Sequence, residues 1–387
     1  MSFFDLPPII ERMLLVSDKI SDLNFSVGQP PQAEVNGKLM PVQPLGLQKL
    51  MPYQTEIIAM TLMQGNPDAA ERLLNTGTAD LSYSLPSRVR FRVNIFQQRG
   101  SYSIVMRVIP TDIPNLTTLS LPTQLADIAE LRNGIVLLTG PTGSGKSSTL
   151  AAVIDIINEK KHYHVVTIED PIEFLHVHKN STIHQRELYS DTSDFARALR
   201  AALRQAPKVI LVGEMRDRAT VEVALMAAET GHLVLSTLHT VDAGQAINRI
   251  LGLFSLGEEQ QLRIRLSDTL RYIVSQRLAP KVNGGRQLLT EILGHNLRTK
   301  ETIALGEGEH RSFYEIIEAS SPFGWMTFDQ SVLNAYDNGD ITEETACIFA
   351  SRKGRVTRGI DLIQKARGVD NDLDSGLRLD LPANAFH

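Results

Sequence analysis

The chain has 387 residues and a formal net charge of −5, so two domains are expected and a general nucleic-acid binder, which usually carries a basic excess, is excluded. Its single cysteine, Cys347, excludes an intramolecular disulfide and any zinc site built from several thiolates, and it fits a reducing cytosol. No run of about 18 apolar residues and no signal-peptide pattern occurs, so any attachment to a membrane is expected to be peripheral.

The first 110 residues mix strand-like and helical patterns. Residues 33–39 and 90–96 alternate apolar and polar side chains with a period of two, which is typical of half-buried strands. We therefore predict a small α+β domain over residues 1–110. Arginines recur along its later strands, and they would form either a solvated basic face or an arginine finger that meets a γ-phosphate in the same chain or a neighbouring subunit. They are Arg88, Arg90, Arg92, Arg99 and Arg107.

A segment rich in proline and polar residues follows, and residues 111–122 are predicted to form an extended linker. Beyond it, apolar strands alternate with helical segments, a pattern that indicates a mainly parallel sheet. The strands are predicted at 134–139, 165–168, 209–212 and 233–236, and the helices at 148–157, 193–205 and 220–229.

Residues 140–148 fit the phosphate-binding pattern G-x-x-x-x-G-K-[ST] between a predicted strand and a predicted helix. Glycines let successive backbone N–H groups turn toward phosphates at a helix N-terminus. Lys146 then reaches the β- and γ-oxygens, and Ser147 ligates Mg²⁺. The sequence therefore predicts a nucleoside triphosphate site. Its phosphate-binding residues are Gly140, Pro141, Thr142, Gly143, Ser144, Gly145, Lys146, Ser147 and Ser148.

Carboxylates follow two of the predicted strands. Glu214 comes after strand 209–212, where it would orient or deprotonate the attacking water. Glu169 and Asp170 end strand 165–168 on the edge where open α/β sheets bind ligands, although such a cluster taken alone is also typical of a solvated turn. We predict catalytic roles for Glu214 and Glu169, and a magnesium contact for Asp170.

Histidines provide the remaining candidates. In residues 230–240, a strand flanked by polar residues, His232 is predicted to bind nucleotide and His239 to sense the γ-phosphate. The pairs at 162/164 and 176/178 could suggest zinc, but they lack cysteine partners and carboxylates at ligand spacing, so we interpret them as polar surface residues.

The last part of the chain differs from the alternating strands and helices before it in its predicted structure and composition. Residues from Leu262 onward are predicted to be helical within a domain that spans 123–367. Residues 368–387 are acidic and poor in aromatic side chains, and we expect a disordered tail.

In order, the P-loop and the segments 168–174, 213–217 and 230–240 resemble the Walker A, Asp, Walker B and His boxes of secretion ATPases. The chain is similar in particular to the PilT/PilU family of type IV pilus retraction ATPases, from Ser21-Asp22-Leu23 to Met326-Thr327-Phe328-Asp329-Gln330. The resemblance implies an α/β protein with a PAS-like N-terminal domain, a RecA-like ATPase domain with a helical C-terminal region, and a hexameric ring with nucleotide between the domains. It also implies that Glu214 is the catalytic glutamate and that Arg90, Arg92 and Arg107 lie on the arginine-bearing strands.

Three segments depart from the family pattern. Asn24 stands where the family usually has His, residues 294–305 match the retraction motif only loosely, and Ser320–Trp325 replaces the usual Gly-Met. Hydrolysis is unaffected by these departures. They leave open whether the chain is the main retraction motor or a PilU-like accessory motor beside a paralogous ATPase.

The resulting hypothesis is hydrolysis of ATP with Mg²⁺ by a cytoplasmic ring that associates peripherally with the inner membrane through a pilus platform protein. Pilus assembly or type II secretion is the alternative within the enzyme class. A ring subunit that binds nucleotide, barely hydrolyses it and acts as a conformational switch is the alternative outside that class.

Overall fold

The computed structural model describes residues 5–43, 47–85, 89–110, 112–309 and 311–368. These residues form two sheets, each with a hydrophobic core of its own. We call residues 5–110 the front unit and residues 112–368 the P-loop unit. The predicted tail lies outside the described residues apart from Gly368. No helix within the described ranges combines the length and the apolar character that crossing a bilayer requires.

The front unit is a six-stranded antiparallel sheet in the order β3-β2-β1-β6-β5-β4, with three helices packed on it. Along its long strands the apolar side chains alternate inward, as Phe91, Val93 and Ile95 show by their complete burial. The opposite face carries Arg92. The elements are α1 (Leu6–Leu14), β1 (Ile20–Phe25), β2 (Gln32–Val35), β3 (Lys38–Pro41), α2 (Pro52–Met63), α3 (Pro67–Thr76), β4 (Thr78–Leu85), β5 (Val89–Gln98) and β6 (Ser101–Ile109).

The predicted single strand over residues 33–39 is wrong, because the chain turns back in its middle. Asn36 and Gly37 both have positive φ, 52° and 77°, and they form the two-residue turn between β2 and β3. Asn-Gly is the strongest short hairpin signal, since these residues tolerate the positive φ that such a turn needs. The turn residues therefore override the apolar alternation on either side of them.

The P-loop unit is a seven-stranded sheet in the order β13-β12-β7-β11-β10-β8-β9, parallel except for the β12–β13 pair. Its central strands β7, β10 and β11 are buried along their whole length, as strands covered by helices on both faces must be. The strands are β7 (Gly134–Thr139), β8 (His164–Glu169), β9 (Thr182–Glu187), β10 (Val209–Val212), β11 (Leu233–Leu238), β12 (Leu270–Pro280) and β13 (Arg286–Gly294). The helices are α4 (Lys146–Lys160), α5 (Phe195–Ala202), α6 (Arg218–Glu229), α7 (Ala243–Leu251) and α8 (Glu259–Thr269), preceded by a 3₁₀ helix (Thr123–Glu130).

The prediction that residues from Leu262 onward are helical is wrong for residues 270–294. After α8 the chain forms the β12–β13 hairpin, which extends the sheet through pairing of β12 with β7. Gly284 and Gly285 turn the hairpin with φ of 83° each. This turn and the alternating pattern of β12 are hairpin signals that favour strands over helix.

Helices fill the remainder of the described chain: α9 (Leu297–Leu305), α10 (Phe313–Ala319), α11 (Phe328–Asp337), α12 (Glu343–Phe349) and α13 (Lys353–Ala366). Asp329 in α11 connects α10 to the segment between α12 and α13. Its carboxylate accepts hydrogen bonds from the Tyr314 hydroxyl at 2.8 Å and the Ser351 amide at 2.7 Å. Two segments that depart from the family pattern, residues 294–305 and 320–325, contact each other in this helical region through Gly294 and Trp325. A side chain at Gly294 would come within 2.3 Å of the Trp325 indole, so the tryptophan requires the glycine.

The predicted linker is not extended throughout. Residues 116–120 form a turn, Leu121 is buried in the core of the P-loop unit, and Leu116 and Leu119 pack against that core. The segment therefore belongs in part to the wall of the P-loop unit.

Candidate functional site

The P-loop connects β7 to α4 as the sequence pattern predicts. Gly140 has a φ of 143°, and a Cβ there would lie 2.4 Å from the carbonyl oxygen of Gln276. Glycine is thus required by both conformation and space. The buried Ser144 hydroxyl has no hydrogen-bond partner among the described residues. An unpaired buried hydroxyl beside exposed loop amides fits the oxygens of a polyphosphate.

Lys146 supplies the positive charge of this loop. Its ammonium group donates hydrogen bonds to the carbonyls of Gly140 at 2.8 Å and Pro141 at 3.0 Å. Burial lowers the pKa of Lys146, against the raising effect of Glu173 and Glu214. Lys146 is 8% exposed, and among the described residues the hydrogen-bond partners of its ammonium group are these neutral carbonyls. A phosphate would therefore gain a charge-assisted hydrogen bond there.

The carboxyl ends of β8, β10 and β11 meet at the same edge of the sheet as the P-loop. Together they line a cleft of about 950 Å³ that holds Glu169, Asp170, Glu214 and His239. A hydrogen bond from the Thr237 hydroxyl to the Gly213 carbonyl at 2.6 Å fixes the loop after β10 against β11. The structure therefore brings the predicted P-loop, both acidic segments and His239 into one site.

Glu214 is largely buried, with 13% of its side chain exposed, and it pairs with Arg216. That hydrogen bond raises the pKa of Arg216. The Nε2 atom of His239 lies 3.7 Å from Glu214 Oε2, and burial followed by the charge of Lys146 lowers the pKa of His239. A carboxylate beside a neutral imidazole can accept a proton or a hydrogen bond from water in the cleft.

Glu169 differs from Glu214 in its surroundings. It accepts hydrogen bonds from Thr167 at 2.6 Å and Gln185 at 3.1 Å, yet burial raises its pKa to about 7. Asp170 is exposed to the cleft, and its pKa is also raised, mainly by burial. Ser147 in the first turn of α4 and the Asp170 carboxylate offer the oxygen ligands that Mg²⁺ prefers, so the donor set fits that ion.

His232 lies outside the cleft. It precedes β11, its carbonyl accepts a hydrogen bond from the Gly134 amide at the start of β7, and its ring contacts the Ala227 carbonyl at 2.9 Å. These are the amino ends of the strands, on the edge opposite the P-loop. The prediction that His232 binds nucleotide is therefore wrong for the cleft of its own chain.

None of the front-unit arginines within the described ranges lines the cleft. Arg107 binds Asp22 through Nε at 2.9 Å with 69% of its side chain exposed, and Arg92 lies opposite it on the neighbouring strand. Arg90 is held by Glu187 at 3.1 Å and has 20% of its side chain exposed. The finger role predicted for Arg90 is thus unsupported, since its guanidinium is held between the two units with little exposure, whereas Arg107 remains largely exposed. Arg88 lies outside the described residues.

Several residues of the cleft were not predicted. Thr118, Leu119 and Ser120 reach it from the segment between the units, while the β12–β13 hairpin contributes further apolar and basic side chains. An apolar wall beside a phosphate cradle suits a nucleoside triphosphate. The hairpin residues are Leu278, Lys281, Arg286 and Leu288. The Gly284-Gly285 turn signals the hairpin itself, but no local signal places its side chains at the P-loop.

The histidine pairs do not converge on an ion site. His164 Nε2 lies 2.9 Å from His184 Nδ1, and burial lowers the pKa of His176 to about 4. Within the described ranges no group of three His, Cys, Asp or Glu side chains could hold a metal ion.

Comparison with known proteins connects this geometry to a family. Residues 35–311 match the family model described as type II/IV secretion system protein. The chain is 39% identical over 340 residues to the type IV pilus retraction ATPase PilT of Pseudomonas aeruginosa, covering 87% of this chain and 96% of that one. It is 38% identical over 362 residues to the type IV pilus ATPase PilU of the same organism, covering 93% and 92%. A crystal structure of the pilus retraction motor PilT with bound ADP superposes with a TM-score of 0.81 at 39% identity, over 92% of this chain and 99% of that chain.

Proposed function

The chain belongs to the type II/IV secretion system protein family and, within it, to the PilT/PilU retraction ATPases, and on that premise we propose that it hydrolyses ATP with Mg²⁺ in a hexameric ring that powers type IV pilus retraction. Membership of the family makes it an ATPase. The observation that carries the proposal is the meeting of Lys146, Glu214 and the acidic loop after β8 in one cleft. Bound ADP in the related PilT structure supports nucleotide binding by this chain.

In the proposed reaction the P-loop amides and Lys146 hold the β- and γ-phosphates, and Glu214 orients the attacking water. Arg216 is 64% exposed in its side chain, so its ion pair with Glu214 is worth about 0 to 1 kcal/mol and leaves the carboxylate available. Ser147 and Asp170 are the residues that would hold Mg²⁺, and the ion would supply positive charge to offset that of the phosphate oxygens. Glu169 lies beside Asp170 and lines the same cleft.

The remaining charge on the γ-phosphate requires a further cation. Arg92 and Arg107 are cross-strand neighbours and both face solvent. Neither side chain lines the cleft of its own chain, although the charge of Arg92 acts on Asp170 there and opposes the rise of its pKa. This position outside the cleft supports delivery by a neighbouring subunit. We infer that this pair meets the γ-phosphate across a ring interface, where movement of the front unit would be the mechanical output.

The oligomeric state is directly testable. In the presence of Mg²⁺ and a non-hydrolysable ATP analogue, light scattering should give a mass about six times the 42.9 kDa of one chain. Specific activity should rise with protein concentration, since dilution separates each cleft from the neighbouring arginines. A monomer with full activity at every concentration would contradict the ring.

Pilus imaging tests the proposed biological role. We place the protein at the cytoplasmic face of the inner membrane, working on a pilus platform protein and beside a paralogous ATPase where one exists. Deleting its gene should leave surface pili in place and abolish or weaken their retraction, and weakened retraction would identify an accessory motor. Loss of pili would instead indicate an assembly or secretion motor. A purified protein that binds ATP without turnover would indicate a regulatory ring subunit.

A further inference from the structure

Glu187, at the end of β9, lies where the front unit meets the P-loop unit. It is 3% exposed. From the front unit, the Ser82 hydroxyl donates to Glu187 Oε1 at 2.5 Å and the Arg90 guanidinium donates to Oε2 at 3.1 Å. The adjoining Tyr189 ring receives the Arg72 guanidinium at 5.3 Å from its centroid. This corner therefore ties strands β4 and β5 to the edge of the P-loop sheet.

The same carboxylate also holds the acidic loop of the cleft, residues 170–174. The backbone amide of Ile172 donates to Glu187 Oε2 at 3.1 Å, so Arg90 and the loop share one oxygen atom. Asp170 and Glu173, on either side of Ile172, both line the cleft. One buried side chain thus contacts the front unit on one side and the wall of the nucleotide cleft on the other.

The Glu187 carboxylate can transmit movement of the front unit to the acidic loop, because it has few other hydrogen-bond donors within reach. A buried carboxylate that loses a donor is left with an unpaired charge, which is costly in a site without water. The Ser190 hydroxyl, 3.4 Å from Oε1, is a further donor from the P-loop unit, but it is a long contact and cannot replace both front-unit donors. Displacing Arg90 or Ser82 therefore favours a shift of Glu187, and such a shift would move the Ile172 amide or break its hydrogen bond. A repositioned acidic loop changes where the carboxylates of the cleft lie.

We propose that Glu187 is a positioning residue that couples the location of the front unit to the acidic loop at the nucleotide cleft. The inference rests on the proposed hydrolysis of ATP at that cleft and adds to it a route by which the front unit senses nucleotide. Glu187 contacts no reacting atom in this scheme; it acts through residues 170–174.

Hydrogen exchange of the full-length protein, with and without a non-hydrolysable ATP analogue, tests the coupling. Glu187→Gln keeps an oxygen for Arg90 and the Ile172 amide and offers its NH₂ group to the Ser82 hydroxyl, so the shape is retained while the charge is lost. Ser82→Ala removes only the front-unit hydroxyl. Ser84→Ala, two residues along the same strand at an exposed position, is the matched control.

In the wild type and in Ser84→Ala, the analogue should change exchange both in the P-loop and in β4 and β5. In Glu187→Gln and Ser82→Ala the P-loop should still be protected while β4 and β5 no longer respond. Turnover should fall about tenfold in Glu187→Gln, with the KM for ATP changing by less than about threefold.

Two outcomes overturn the inference. Wild-type responses of β4 and β5 in both variants would show that Glu187 only fastens the units together. A loss of P-loop protection equal to the loss in β4 and β5 would show a binding defect in place of a coupling defect. If the wild type binds the analogue but hydrolyses no ATP, the proposed function fails, and the exchange responses still decide the coupling.

Discussion

Glu214→Gln is expected to bind ATP as the wild type does and to hydrolyse it about 10²- to 10⁴-fold more slowly. The substitution keeps the size and hydrogen-bonding capacity of the side chain and removes the negative charge next to the attacking water. Binding should persist because the phosphate contacts come from the P-loop. Lys146→Ala should show the opposite pattern, with ATP affinity reduced about 10- to 100-fold by loss of the charge-assisted contact.

Fluorescent-nucleotide titration and phosphate release, measured on the same preparations, separate the two effects. Glu222→Gln is a suitable control for the loss of a carboxylate, since Glu222 is paired with Arg218 on the exposed face of α6. Lys160→Ala at the exposed end of α4 controls for the loss of an ammonium group. Wild-type turnover in Glu214→Gln would assign the catalytic carboxylate elsewhere, with Glu169 as the next candidate.

Much of this site could be predicted because its chemistry is local in sequence. The glycine loop, Lys146 and the first turn of α4 are contiguous, and Glu169, Glu214 and His239 each follow a strand of the same parallel sheet. Parallel strands place their carboxyl ends on one edge, so strand assignment alone brings these residues together. The same rule separates His232 from the cleft of its own chain. It belongs to the same sequence segment, residues 230–240, as His239 but precedes β11, and the six residues of that strand place it at the opposite edge.

What could not be predicted depends on long-range packing. Glu187 has partners 97 and 105 residues away in the front unit, and no motif marks it. Thr118 and Leu119 reach the cleft because the segment between the units folds against the P-loop core in place of extending. The β2–β3 and β12–β13 hairpins differ from these cases, since Asn36-Gly37 and Gly284-Gly285 carry readable turn signals. At both hairpins the turn residues decide the structure against the surrounding sequence pattern.

Arg107→Ala is expected to reduce turnover by about 10²-fold or more while ATP affinity falls much less. The structure gives the reason for choosing this arginine. Asp22, whose side chain is 8% exposed, holds Nε of Arg107, so the guanidinium is oriented while its two terminal nitrogens remain directed at solvent. A group fixed in this way loses little conformational entropy when a neighbouring γ-phosphate arrives. Asp22→Asn should therefore produce a smaller loss of turnover in the same direction.

Subunit mixing decides whether Arg107 acts across the interface. Lys146→Ala and Arg107→Ala rings are each expected to be nearly inactive, but in randomly mixed rings about a quarter of the clefts combine an intact P-loop with a neighbour's intact arginine. Activity should then reappear on mixing, and Arg197→Ala, at an exposed arginine of α5, should leave turnover unchanged. If Arg107 only pairs with Asp22, the contact is worth about 0 to 1 kcal/mol and turnover of Arg107→Ala would hardly change. Inactive mixtures of two inactive variants would instead assign the arginine to the cleft of its own chain.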